Sequence, residues 1–171
     1  MDSLILLLLA VMPALVIVAG LKDLTSMKIP NWISGALIVV YFPVALVVGL
    51  PWTVVAVSVG VGMAALVAGA AMFALRWIGG GDAKLIAAGC LWLGLEGSGM
   101  FLLWTGLVGG LFCLALLFAR SWSRAYLPAT APAWVLHLMQ PRGDIPYGVA
   151  IAAGALLAYP SSTVVNAFIA G

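Results

Sequence analysis

Residues 83–119 read AKLIAAGCLWLGLEGSGMFLLWTGLVGGLFCLALLFA, an apolar run of 37 residues. As one straight helix this run would be about 55 Å long, whereas the hydrocarbon core of a bilayer is only about 30 Å thick. The run must therefore fold back once. The segment Glu96-Gly97-Ser98-Gly99 combines a carboxylate with two glycines and predicts the turn. We expect a short span near Ala83–Leu95 and a second span near Met100–Ala119.

The chain as a whole is unusually apolar. Of its 171 residues, 65% are hydrophobic, seven are Lys or Arg and five are Asp or Glu, whereas about a quarter of an ordinary soluble domain is charged. This composition excludes a water-soluble globule and leaves room for about six membrane spans. The net charge of +2 is too small and too scattered for a nucleic-acid interface. We therefore predict an all-α membrane protein, a single domain over residues 1–171 in a lipid bilayer, without a nucleic-acid partner.

Six transmembrane helices account for the apolar segments. The first is predicted at Leu4–Leu21, as a retained helix rather than a signal peptide, because Lys22-Asp23 follows it in place of a cleavage site of small residues. The others are predicted at Trp32–Leu50, at Trp52–Leu75, at the two spans of residues 83–119, and in a last segment that begins near Ile145 or Pro146 and is interrupted by Pro160.

The basic residues test this count of spans. All seven fall in the first, third and fifth loops, on one side of a six-span topology: Lys22, Lys28, Arg76, Lys84, Arg120, Arg124 and Arg142. The positive-inside rule predicts that this side is cytoplasmic and that the N-terminus lies outside. The fifth loop, Ser121–Gly143, carries several aromatic residues, and we expect it to lie in the membrane interface, with an irregular first half and a short helix after Pro132.

Small residues within the spans predict helix packing. Cys90 and Cys113 form no CxxC pair and are expected to pack as small apolar side chains, so neither a structural metal nor a cofactor is predicted. Two pairs of small residues at four-residue spacing predict close helix contacts within the chain: Gly106 with Gly110, and Ala150 with Gly154.

Three of the five acidic residues, Asp23, Asp82 and Asp144, lie on the side that carries the basic residues. Ionisable groups at membrane depth cost several kcal/mol unless they are satisfied, so they often mark functional sites. The alternative is that each carboxylate caps a helix or pairs with a nearby cation. We favour this alternative for Asp144, as a cap of the sixth span beside Arg142. Lys84 either tunes the charge of Asp82 or anchors the end of its helix.

The surroundings of Asp82 favour a functional role for this residue. The preceding Gly79-Gly80-Gly81 allows a positive φ and the close approach of another chain, which a peptide-cutting site requires. Asp82 lies in the first turn of a helix and Asp23 near the end of span one, where the helix dipoles have opposite signs. If the two carboxyl groups meet, repulsion and these opposed environments should separate their proton affinities. One protonated and one ionised carboxyl group can then activate water for attack on an amide.

Three segments resemble the signature segments of the type IV prepilin peptidases. Residues 23–31, DLTSMKIPN, place an aspartate a few residues before Ile-Pro-Asn. Residues 79–85, GGGDAKL, resemble the Gly-x-Gly-Asp motif that is followed by a lysine. Residues 143–150, GDIPYGVA, resemble the start of the last helix of the family. Because the three segments occur in this order on one predicted face, the resemblance covers the whole six-span chain.

The resemblance implies that Asp23 and Asp82 are the catalytic pair of a membrane aspartic endopeptidase without a cofactor. Its substrate would be a prepilin or pseudopilin, whose positively charged leader is cut at the cytoplasmic face of the bacterial inner membrane. Further residues of the matching segments would bind the substrate or shape the site: Gly79, Gly80, Gly81, Lys84, Pro30, Asn31, Asp144, Pro146 and Tyr147.

The same resemblance indicates a branch within the family. Larger members carry an N-terminal extension with paired CxxC motifs and also methylate the new N-terminus. This sequence shows neither feature and is therefore similar to the compact branch that serves tight-adherence (Flp-type) pili, for which the resemblance implies no methyltransferase activity.

Two other functions fit the sequence less well. A serine peptidase would need a nucleophile and a base together, but Ser98 is predicted on the outer turn and His137 on the cytoplasmic side. A non-enzymatic polytopic protein, such as a small channel, a transporter subunit or a pilus assembly factor, would place its acidic residues near the middle of the membrane. Asp23 and Asp82 are instead predicted at one interface.

Overall fold

A computed structural model describes residues 2–123, 131–141 and 143–170, and these residues form helices and turns without a β-strand. The helices of this described part are α1 (Asp2–Ser26), α2 (Asn31–Val48), α3 (Trp52–Ala74), α4 (Gly80–Ser123), α5 (Ala133–Leu138), α6 (Gly148–Ala158) and α7 (Thr163–Ala170), with a 3-10 turn at Tyr159–Ser161. Within it, five helical stretches are long and apolar enough to cross a membrane: α1, α2, α3, α4 and the stretch from α6 through α7. The prediction of an all-α fold with membrane-spanning helices is confirmed.

The long helix α4 is interrupted at Gly94, whose backbone angles (φ 68°, ψ −168°) are accessible to glycine and strained for other residues. The chain reverses there. A Cβ atom built on Gly89 would lie 3.0 Å from the ring of Phe101, although a straight helix would separate these two residues by about 18 Å. The hydroxyl of Ser98 donates to the carbonyl oxygen of Gly94 at 2.5 Å and stabilises the reversal. The turn predicted at Glu96–Gly99 is wrong, because these residues are helical and Gly94 makes the turn.

The two segments of α4, residues 80–93 and residues 95–123, pack against different neighbours. The first segment runs antiparallel to α3, and the second runs antiparallel to α6. Close contacts at glycines define both pairs: Gly69 with Ala83 and Gly62 with Leu91 in the first, and Gly154 with Thr105 and Gly109 with Tyr147 in the second.

The predictions from small residues have different outcomes. A close helix contact is predicted for the pair Ala150 and Gly154. It is confirmed, because Gly154 is in close contact with Thr105 and Ala150 is buried. The prediction for Gly106 and Gly110 is wrong, because both face open space and no atom lies within 4 Å of a Cβ built on either. These two glycines lie on a side of α4 that does not contact α6.

The first segment of α4 lies at the centre of the buried core. Trp92 is fully buried, donates its indole N–H to the carbonyl oxygen of Leu37 at 2.8 Å, and packs edge-on against Tyr41 with ring centroids 5.9 Å apart. By contrast, large apolar side chains on the outside of the bundle are widely exposed; Leu7 and Phe118 are each 69% exposed. An outer surface of this kind is expected of helices that face lipid and would be costly in water.

Several helix boundaries differ from the predictions. α1 continues to Ser26, beyond the predicted end at Leu21, so Asp23 lies inside its last turns. The last long helix begins at Gly148 rather than at Ile145 or Pro146. α5 confirms the short helix after Pro132. The irregular half predicted before it falls within residues 124–130, which lie outside the described residues together with Arg124 and Arg142.

Replacement of Gly94 tests the reversal of α4. In Gly94→Ala the new methyl group would lie 2.5 Å from Cγ2 of Thr163, and a positive φ costs an L-residue about 1–2 kcal/mol. We expect the midpoint of thermal unfolding in detergent to fall by about 5 °C or more. Gly106→Ala is the matched control, because its methyl group meets open space, and it should unfold at or slightly above the wild-type temperature. Equal midpoints for the two variants would contradict the role of Gly94.

Candidate active site

Asp23 lies in the last turns of α1 and is only 6% exposed. Its Oδ2 atom accepts a hydrogen bond from the backbone N–H of Gly148 at 2.7 Å. Gly148 is the first residue of α6, so its N–H is one of the donors that a helix leaves unpaired at its N-terminus. Asp23 therefore caps α6 from another helix and brings the first and last long helices of the described chain together.

Asp82 is the third residue of α4 and is partly buried. Its Oδ2 atom accepts a hydrogen bond from the N–H of Gly79 at 3.2 Å, as a capping residue in the first turn of a helix does. The prediction that Asp82 lies in a first helical turn is confirmed. Asp23 lies near the C-terminal end of its own helix, as predicted, but it also accepts a hydrogen bond from the N-terminus of α6, so the surroundings of the two carboxyl groups are not simply opposed.

The glycine run before Asp82 permits close approach. A Cβ atom on Gly79 would lie 2.9 Å from Oδ2 of Asp82, and a Cβ atom on Gly81 would lie 3.0 Å from Cβ of Ile29. Gly80 lies against the ring of Phe73. Positive φ values occur at other glycines of the described chain, Gly49 and Gly94. The run therefore serves close packing beside the carboxyl group rather than an unusual backbone conformation.

Ile29 connects the two carboxyl-bearing segments. Its Cβ atom contacts Gly81, the neighbour of Asp82, and its Cδ1 atom would lie 2.9 Å from a Cβ atom on Gly148, the partner of Asp23. The two carboxyl groups are close enough for the charge of Asp23 to act on Asp82. Pro30 and Asn31 are predicted from the sequence to shape the site. Ile29, which precedes them in the same matching segment, is not among the predicted residues.

Pro30, Asn31 and Lys84 form the second connection between these segments. Pro30 precedes the first turn of α2, and Asn31 is the first residue of that helix. The ammonium group of Lys84 donates to Oδ1 of Asn31 at 2.9 Å. Of the two roles considered for Lys84, this contact corresponds to the anchor, because it ties the start of α4 to the start of α2.

The segment before α6 contributes backbone rather than a carboxylate. The side chain of Asp144 is exposed, and α6 begins at Gly148 without a side-chain capping hydrogen bond from its own segment. The prediction that Asp144 caps the last helix is therefore wrong; Asp23 occupies that position. Pro146 is buried, and the ring of Tyr147 packs on Gly109, where a Cβ atom would lie 2.6 Å from the tyrosine oxygen.

Ser98 and His137 lie far apart along the bundle. Ser98 is buried beside the reversal at Gly94, whereas α5, which carries His137, is linked to the other end of α4 through Arg120. Roughly 33 Å of helix separates Ser98 from Arg120. The structure therefore agrees with the prediction that these two residues do not meet.

Together these features define a multi-pass helical membrane protein with two carboxyl groups at one end of its bundle. The sequence matches the type IV leader peptidase family over residues 10–114, which include both Asp23 and Asp82. The chain belongs to the type IV leader peptidase family and is therefore a membrane peptidase. Comparison with curated proteins finds no match, and comparison with solved structures finds none either.

Replacement of Gly148 tests the geometry around Asp23. In Gly148→Ala the new methyl group would lie 2.8 Å from both Cβ and Oδ2 of Asp23, so the carboxyl group must move. Because displacement of a reacting group by about 1 Å can cost about 100-fold in rate, we expect leader cleavage to slow by about 10- to 100-fold. Gly110→Ala places its methyl group in open space and should cleave at the wild-type rate. Normal cleavage by Gly148→Ala would contradict this geometry.

Proposed function

We propose that this chain is an aspartic endopeptidase that removes the positively charged leader from a prepilin or pseudopilin at the cytoplasmic face of the inner membrane. The observation that carries the proposal is that Ile29 contacts both Gly81, the neighbour of Asp82, and Gly148, the partner of Asp23, which brings the two carboxyl-bearing segments together beside glycine backbone in a chain of the type IV leader peptidase family. An extended peptide needs such backbone, because side chains would keep it away from the carboxyl groups.

The proposed reaction uses one protonated and one ionised carboxyl group. Two carboxyl groups that are buried close together disfavour the state in which both are ionised, so a pair of this kind holds one proton and titrates as a unit. The ionised group takes a proton from water as the water oxygen attacks the scissile carbonyl carbon. The protonated group donates its proton to the carbonyl oxygen. The diol then gives one hydroxyl proton back to the carboxylate that donated it and re-forms the carbonyl group. The other carboxyl group protonates the amide nitrogen, the carbon–nitrogen bond breaks, and the pair again holds one proton.

The hydrogen bonds of the two carboxyl groups fit this reaction. Gly148 N–H bonds to Oδ2 of Asp23, and Gly79 N–H bonds to Oδ2 of Asp82. Each bond holds one oxygen of its carboxyl group, Oδ2, in place. In the proposed reaction the other oxygen, Oδ1, contacts water and substrate. Both donors lie at helix N-termini, Gly79 directly before α4 and Gly148 at the start of α6, and the two carboxyl groups stand on the helices α1 and α4. The pair is therefore held by rigid elements of the bundle.

The reversal at Gly94 supports the proposed six-span topology. If each segment of α4 is counted as a span, six helical segments alternate in direction. Asp23, Asp82 and the described basic residues then share one end of the bundle: Lys22, Lys28, Arg76, Lys84 and Arg120. The positive-inside rule assigns this end to the cytoplasm, where the leader of a prepilin remains. Because the carboxyl groups lie at helix ends rather than at mid-helix, a peptidase fits better than a channel or transporter subunit.

The proposed branch is the compact one that serves Flp-type pili. Cys90 and Cys113 both lie within α4 and form no CxxC pair, so the described chain holds no paired CxxC motif of the kind carried by larger members.

Isosteric replacement of the carboxyl groups tests the proposed pair. General acid–base catalysis contributes about 100- to 10,000-fold in rate, so Asp23→Asn and Asp82→Asn should each slow leader removal from a co-expressed Flp-type prepilin by at least about 100-fold. The control is Glu96→Gln, at an acidic residue just after the reversal at Gly94 and therefore at the opposite end of the bundle, and this variant should cleave normally. Normal cleavage by either aspartate variant would refute the pair.

Cysteine labelling tests the proposed orientation. In a background in which Cys90 and Cys113 are replaced by alanine, Thr25→Cys should react with a membrane-impermeant maleimide only after the cells are opened. Gly99→Cys, which is exposed near the reversal of α4, should react in intact spheroplasts. The opposite pattern, or labelling of both positions from the same side, would contradict the six-span topology.

A further inference from the structure

Arg120, near the end of α4, differs from the other described basic residues because it is buried. It is 7% exposed, whereas Lys22, Lys28, Arg76 and Lys84 are all exposed. Its guanidinium group donates to three backbone carbonyl oxygens: Nε to Leu138 at 2.8 Å, Nη1 to Gly143 at 3.0 Å and Nη2 to Asp144 at 2.9 Å. From the sequence alone, Arg120 indicates only which side of the membrane its loop lies on.

The arrangement of these three carbonyl acceptors fits an arginine side chain and does not fit a lysine side chain. A planar guanidinium group presents several N–H donors in a fixed arrangement, whereas a lysine ammonium group is a compact charge on a flexible chain. Leu138 is the last residue of α5, and Gly143 and Asp144 lie in the chain that follows this helix. Because a buried cation is costly unless hydrogen bonds satisfy it, Arg120 and this segment stabilise each other.

The segment held by Arg120 leads directly to the candidate active site. Only residues 145–147 separate Asp144 from Gly148, whose N–H binds Asp23. Within this short connection Pro146 is buried and Tyr147 packs on Gly109 of α4. The second segment of α4 therefore holds the chain before α6 at two places, through Arg120 and through Gly109.

We propose that Arg120 is a positioning residue of the peptidase: by binding the carbonyl oxygens of Leu138, Gly143 and Asp144, it sets the place at which the Gly148 N–H meets the carboxyl group of Asp23. This inference rests on the proposed function for its kinetic consequence. Its structural consequence, the loss of the Gly148–Asp23 hydrogen bond, can be measured without any activity. Arg120 does not touch the reacting atoms and acts through the segment and Gly148.

Arg120→Lys is the informative variant, because it keeps the positive charge on the same side of the membrane while losing the arrangement of donors. Arg76→Lys, at an exposed arginine on the same side, is the matched control. In glycine-labelled protein in nanodiscs, the amide proton resonance of Gly148 should shift in Arg120→Lys in the same direction as it does in Asp23→Ala, which removes the acceptor of its hydrogen bond. The amide resonance of Gly79, which is bonded to Asp82, should remain in place and reports that the fold is intact.

The kinetic arm measures leader cleavage by the same variants. Because the defect is one of orientation, kcat should fall by about 10-fold or more in Arg120→Lys while KM stays within about twofold of wild type. Arg76→Lys should match wild type in both arms. An unchanged Gly148 resonance in a folded Arg120→Lys protein, or a resonance change that is equally large at Gly79, overturns the positioning role. Absence of cleavage by the wild-type chain, with the Gly148 shift present, refutes the proposed function instead and leaves the positioning role intact.

Discussion

The hydrogen bond from the N–H of Gly148 to Oδ2 of Asp23 joins residues that are 125 positions apart in the chain. A carboxyl group at the end of α1 satisfies a free donor at the start of α6, in surroundings that are largely closed to solvent. The bond requires the absence of a side chain at position 148, because a Cβ atom there would lie 2.8 Å from the carboxyl oxygen. It also requires that α6 begin where it does, which depends on the segment tied to Arg120.

The reversal at Gly94 makes that arrangement possible. If α4 continued straight, its second segment could not return to the end of the bundle where Asp23 and Asp82 lie. Because it does return, the second segment can pack against α6 through Gly109 and Gly154 and can carry Arg120 to the chain that precedes α6. The position of the Asp23 carboxyl group, at one end of the bundle, therefore depends on the backbone conformation of Gly94 at the other end.

Much of this organisation could be predicted from the sequence because it depends on length and on residue type. The run of residues 83–119 is too long for one crossing, and the glycines beside Asp82 have no side chains to exclude a neighbour. The location of the reversal was missed by two residues, because several glycines lie close together and only the three-dimensional packing selects Gly94. The contacts of Ile29 and Arg120 were also missed, since they depend on which helices become neighbours. For the same reason the environment of Asp23 was misjudged: its own helix places it at a C-terminus, but another helix presents an N-terminus to it.

The meeting of Asp23 and Asp82 is the central claim, and cross-linking measures it most directly. In a chain without Cys90 and Cys113, Asp23→Cys and Asp82→Cys would be combined and treated with a bis-maleimide no longer than the width of one helix, about 10 Å. The account predicts an intramolecular cross-link, detected by mass spectrometry as a joined pair of peptides. The control pair, Asp23→Cys with Glu96→Cys, should give none, because Glu96 lies just after the reversal at Gly94, at the opposite end of the bundle. Failure of the Asp23–Asp82 pair to cross-link in folded protein, or equal cross-linking of both pairs, would contradict the account.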